Sequence, residues 1–151
     1  MTAERNLRTN FAFYPPAEDS GAWGATTESL ERSLRQAFSD PALEYRRSGI
    51  HDMTVLDFEV EVAPRVWVDG TATMPGPDYS YITLTDVTAD EAAAFARWLR
   101  DAFVPAPHLV RFASSLAMAN GEQEPTPLPA TGGTEEITAV LRHHLEAVDR
   151  P

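Results

Sequence analysis

The stretch Met53-Thr-Val-Leu-Asp-Phe-Glu-Val-Glu-Val62 constrains this chain more than any other, because its polarity alternates with a period of two. Successive side chains of an extended strand point to opposite faces. Leu56, Phe58, Val60 and Val62 therefore fall on one side, and Asp57, Glu59 and Glu61 on the other. One face of this strand belongs to a core and the other is a row of carboxylates. Whatever else the chain forms must cover the first face and tolerate the second.

The segments that follow supply partners. Ala63-Pro64-Arg65 is a hairpin connection into a strand from Arg65 to Thr73, with Val66 and Val68 inward and Trp67, Asp69, Thr71 and Thr73 outward. Met74-Pro-Gly-Pro-Asp78 is a turn cluster, and Tyr79 to Thr85 is a third strand with Ile82 and Leu84 inward and Tyr79 and Tyr81 outward. The three form an antiparallel meander. Shorter strands are expected at Asn10–Tyr14, closed by Pro15-Pro16, and at Leu43–Arg47. Another is expected at His108–Ala113, with an apolar run that extends toward Met118.

Three helices complete the pattern. Thr26 or Thr27 caps the first, whose stripe is Leu30, Leu34, Ala37 and Phe38 and which ends before Pro41. Thr88-Ala-Asp-Glu91 is a capping box opening a helix with Ala92, Phe95, Ala96, Leu99, Ala102 and Phe103 on its buried face and Arg97, Arg100 and Asp101 toward water. Thr134 opens the last, with Ile137, Val140, Leu141, Leu145 and Val148 buried. Trp23, in the loop before the first helix, reads as a lid on the core.

The fold expected is α+β: an antiparallel sheet of four to six strands with a central meander, and about three helices packed mainly on one face. At 151 residues the chain is one domain, residues 1–151, large enough to bury a core without metal or disulfide support. Residues 1–9 are expected to be a loose N-terminus, 120–133 a long surface loop and 134–148 the C-terminal helix.

Charge narrows the function. Twelve basic residues stand against 23 acidic ones, a formal net charge of −11, and that field repels phosphate backbones and anionic lipid. Nucleic acid and membrane are not expected partners; a basic protein is. All the basic residues are arginine, a bias associated with high-GC genomes, so lysine Schiff-base chemistry is absent, and the lack of cysteine removes thiolate nucleophiles and thiolate metal sites. No apolar run approaches the roughly 20 residues of a membrane span, and the expectation is a soluble, cytoplasmic protein.

Specific chemical motifs are few. Leu128-Pro-Ala-Thr-Gly132 resembles the pentapeptide that sortases cleave, but it is followed by Gly133-Thr-Glu-Glu136 and an amphipathic helix instead of an apolar tail, so the match is taken as coincidental. His143-His144 point about 100° apart on a helix and do not chelate one ion together. His51-Asp52 lack the relative geometry of a base and its orienting carboxylate, and Ser114-Ser115 lack a Gly-x-Ser-x-Gly elbow. Neither metal nor cofactor is expected, and no catalytic residue stands out.

What remains is the outward sheet face, where Asp57, Glu59, Glu61, Trp67, Asp69, Tyr79 and Tyr81 mix carboxylates with aromatics. The expectation is a small acidic, non-catalytic interaction domain that docks a basic protein there. In charge and size it is similar to immunity proteins and to small acidic chaperones. The alternative is a small-molecule-binding domain or enzyme with a pocket between the sheet and the 120–133 loop, using His51, His108 and Arg111. A homodimer burying the outward face is a third arrangement.

Overall fold

A computed structural model describes residues 7–19, 21–48, 53–74, 80–119, 121 and 124–149. The strands are β1 (Thr9–Tyr14), β2 (Ala42–Ser48), β3 (Met53–Ala63), β4 (Val66–Thr73), β5 (Tyr81–Val87), β6 (Arg111–Ser114) and β7 (Thr126–Pro127). The α-helices are α1 (Thr27–Ala37), α2 (Ala89–Trp98), α3 (Ser115–Ala119) and α4 (Thr134–Asp149). All strands join one antiparallel sheet in the order β2-β3-β4-β5-β1-β6-β7. The class is the expected α+β. Among the described residues seven strands replace four to six because a two-residue strand closes the β6 edge, and the run after Ser114 coils into α3, a fourth helix there, instead of extending the strand.

The alternation sorts the faces. Phe11, Phe13, Phe58, Val60, Val68, Ile82, Leu84 and Phe112 point inward and share one core with Leu30 and Leu34 of α1, Phe95 and Ala96 of α2, and Ile137, Leu141 and Leu145 of α4. Phe58 is the joint between the layers. Its ring lies across Gly70, directly opposite on β4, and stacks on Phe95 with centroids 5.6 Å apart and planes at 15°. Phe95 in turn meets Phe13 and Trp98, and Trp98 meets Phe38 and Phe103. A Cβ on Gly70 would overlap the Phe58 ring. Glycine weakens a strand unless something else fills its place, and here the ring of the neighbouring strand does so.

The caps follow their chemistry. Thr88 accepts from the Glu91 amide at 3.2 Å while Glu91 accepts from the Thr88 amide at 3.0 Å. Thr26 is the cap of α1, with Ser29 completing the reciprocal pair. Trp23 is buried as a lid, its indole donating to the Leu109 carbonyl at 2.6 Å.

Two local expectations are corrected. His108 lies in a 3-10 turn, Pro107–Leu109, because the proline sets that turn's first dihedral; the strand begins only at Arg111. Arg100 does not face water: it is 4% exposed. Arg100 follows the fully buried Ala93 and Ala96 by seven and four residues and so continues their face of the helix, while α2 itself runs on into a π-helical turn, Leu99–Phe103, closed by the Val104 amide on the Leu99 carbonyl. The Arg100 guanidinium donates to the carbonyls of Pro129, Thr131 and Gly132 at 3.0, 3.2 and 2.6 Å. It also grips the Asp101 carboxylate and holds that group below the usual aspartate range, chiefly by hydrogen bonding. Segment 124–133 is thereby tied to the body, with Leu128 buried and its amide on the Val110 carbonyl.

Two substitutions test these joints. Gly70→Ala must displace the Phe58 ring and should lower the unfolding free energy by about 1–3 kcal/mol in a denaturant titration. Arg100→Ala strips donors from three backbone carbonyls and should cost about 3 kcal/mol, with Arg100→Lys recovering only part because lysine lacks the guanidinium fork. A neutral result in either would show that the contact is incidental.

Candidate functional site

The helices cover one side of the sheet, and the register lays out the other. Glu44, Asp57, Thr71, Thr83, Ala12 and Ala113 form one row across it, and Ala42, Glu59, Asp69 and Thr85 the next. Trp67 opposes Glu61 at the hairpin end, and its side chain is 44% exposed. Tyr81 sits half-buried on the same face. Asp57, Glu59, Glu61, Trp67, Asp69 and Tyr81 thus share one surface, whereas Tyr79 and His51 lie outside the described residues. Val55 and Thr73, toward the opposite end of the face from the hairpin, are buried, the Thr73 hydroxyl donating to the Thr54 carbonyl.

The carboxylates have different tasks. Asp57 accepts from Arg46 at 2.6 Å and from the Thr71 hydroxyl at 2.9 Å. Glu61 accepts from the Arg65 amide at 2.8 Å, which holds the two-residue hairpin with Arg65 in a left-handed conformation at φ 63°. Glu59 and Asp69 face each other directly, and neither has a cation partner among the described residues. The hydrogen bond that a protonated Glu59 makes to Asp69, then the negative charge of Asp69, hold the Glu59 carboxyl above its usual range. Like charges placed directly opposite across two strands destabilise the pair. This one persists on an open surface.

Around the pair is an open groove of about 400 Å³. Its lining includes Glu44, Asp57, Glu59 and Asp69, with Gly70 between them, and contains neither histidine nor arginine. Sequence reading missed Glu44, because β2 carries charge at 44, 46 and 47 and shows no clean alternation; the register with Asp57 alone places it here. It missed Arg46 for the same reason. Further along the face Tyr14 stands opposite Arg111, its hydroxyl pushed up by burial and then by the neighbouring Tyr81.

The residues of the alternative pocket are not drawn together. Arg111 points to the outward face and meets Glu18 at 3.4 Å, His108 is exposed on its turn, and no described contact joins them. His144, on α4, shares a hydrogen bond of 2.9 Å with the buried Ser114 hydroxyl and packs edge-on against Phe112, so it ties α4 to β6; His143 is exposed. Among the described residues no group of three or more histidine, aspartate or glutamate side chains is placed to hold a metal ion, and no helix is long and apolar enough to cross a membrane.

Comparison with protein-family models, with curated proteins and with solved structures finds no match to this chain.

The raised Glu59 carboxyl carries a sign. A folded-state value above the unfolded one means that the native chain holds the proton more tightly, so stability falls as pH rises from the ordinary glutamate range through the folded value. Glu59→Gln removes the opposed charge. Its melting temperature should exceed that of the wild type at neutral pH, and the two should converge in acid below the ordinary glutamate range. Curves that stay parallel at every pH would show that the pair does not interact.

Proposed function

We propose that this chain is a non-catalytic docking domain that binds a basic protein through the outward face of its sheet. The observation that carries this reading is the directly opposed Glu59 and Asp69, left without a counter-ion among the described residues in an open groove lined by two further carboxylates. A lysine or arginine laid between them would replace repulsion with two charge-assisted hydrogen bonds, so the free protein is destabilised where the complex gains. Trp67, exposed at the hairpin beside this groove, offers the aromatic area that anchors interfaces. The shallow form of the groove and the absence of histidine and arginine from its lining favour a binding face over a reaction pocket.

The test separates the acidic pair from the carboxylates that hold the fold. Glu59→Gln/Asp69→Asn is near-isosteric and leaves Asp57 and Glu61 in place. A basic protein captured from native lysate by the wild type at low salt should be released by high salt, lost on the double neutralisation and weakened by Trp67→Ala. The purified pair should then bind with an affinity that the double variant lowers about tenfold or more. Equal capture by wild type and double variant would overturn the reading.

A further inference from the structure

The two edges of the sheet are built differently. At one, β7 has two residues, and Pro127 has no amide hydrogen to offer. At the other, β2 runs seven residues, all of them paired on one side with β3, and among the described residues no strand pairs with its other side. No proline or glycine interrupts Ala42–Ser48, and Ala42, Glu44, Tyr45, Arg46 and Arg47 are exposed. A long regular edge of this kind is a template for another strand.

The sequence of β2 specifies which strand fits. A two-fold axis normal to the sheet keeps like faces together, and full overlap of the seven residues requires that axis to pass through the middle residue, Tyr45. Glu44 then faces Arg46 of the second copy, and Arg46 faces its Glu44. If the axis moved one residue, to Glu44 or to Arg46, it would set glutamate against glutamate or arginine against arginine, which opposed strands penalise. The charges therefore select a single register.

The monomer is prepared for this contact. Glu44 lies opposite Asp57 and has no cation partner among the described residues, whereas Arg46 reaches Asp57 on the diagonal at 2.6 Å. The Arg46 guanidinium has five donors, so it can serve Asp57 of its own chain and Glu44 of the second copy together. Tyr45, on the inward side, is 40% exposed and fixed by its hydroxyl on Glu31 at 2.7 Å, so its ring is held at the axis against its counterpart. β2 carries two arginines and one glutamate while β3 carries three carboxylates and no base, so the seam avoids the acidic field of the rest.

We propose that β2 pairs antiparallel with β2 of a second copy about an axis through Tyr45, joining two sheets into one continuous sheet. The proposal does not rest on the docking reading: the seam takes up Glu44 at the rim of that groove, while Glu59, Asp69 and Trp67 remain open on the same side of the joined sheet.

Sedimentation of the full chain across a concentration series tests it. The wild-type mass should rise from 16.6 kDa toward twice that value. Glu44→Arg and Arg46→Glu should each weaken association about tenfold or more, and Glu44→Arg/Arg46→Glu together should restore it, with the fold checked by circular dichroism. A wild type that stays at 16.6 kDa, association indifferent to either reversal, or a double variant that does not recover would each overturn the proposal. Should a reversal fail to fold, a single cysteine still reports on the register, because the chain has none of its own. Tyr45→Cys should join to itself through a short thiol-reactive linker, while Glu59→Cys should not; the opposite pattern overturns the axis.

Discussion

The Phe58 ring, laid across Gly70 and stacked on Phe95, is the contact on which the rest of the molecule depends. It is the point where the long central hairpin meets the helical layer, and it extends through Phe95 and Trp98 to Phe38 and Phe103. Because a strand carries its two faces in strict alternation, anchoring Phe58 inward also commits Asp57 and Glu59 outward. The acidic surface is thus a by-product of where the aromatic core grips. A one-residue slip would bury carboxylates against Phe95, so the core enforces the register with the full cost of burying charge.

Much of this was legible in the sequence. The alternation from Leu56 to Val62, the Pro64-Arg65 turn, the Thr88–Glu91 box and the helical stripes are local patterns, in which the residues that decide a conformation lie within a few positions of each other. What escaped was decided at a distance. Nothing in Phe11 or Phe13 announces that β1 inserts between β5 and β6, since either edge would satisfy its alternation. Arg100 shares a helix face with the buried Ala93 and Ala96, but its charge argues for water, and only the carbonyls of Pro129, Thr131 and Gly132, far along the chain, give that charge a buried place. In the candidate site, Asp57 to Glu61 declared themselves through periodicity. Glu44 and Arg46 did not, because an edge strand exposed on both faces has no need to alternate.

The charges of the outward face divide by task. Asp57 and Glu61 serve the fold, one neutralised by Arg46 and the other capping the hairpin turn, whereas Glu59 and Asp69 oppose it. A net charge of −11 is therefore an uneven quantity: Asp57 is paired with Arg46 and Glu61 is engaged by the Arg65 amide, while Glu59 and Asp69 between them have no cation partner among the described residues. The arginines of β2 mark the boundary of the acidic field at the sheet's long edge.

The place of β1 has a consequence for how the chain acquires its structure. β2 to β5 are consecutive in both sequence and sheet and form by short closures. Phe11, in contrast, must find Leu84 on one side and Ser114 on the other. During synthesis β1 leaves the ribosome well before either neighbour exists. Its two buried phenylalanines stay without a partner until the meander has formed and α2 has been made. Ordering of the sheet is thus a late, non-local event, of the kind that slows folding relative to a chain whose strands pair in the order of their making. Until β1 arrives, β5 and β6 have no strand between them, and the molecule is two fragments of sheet awaiting their common centre.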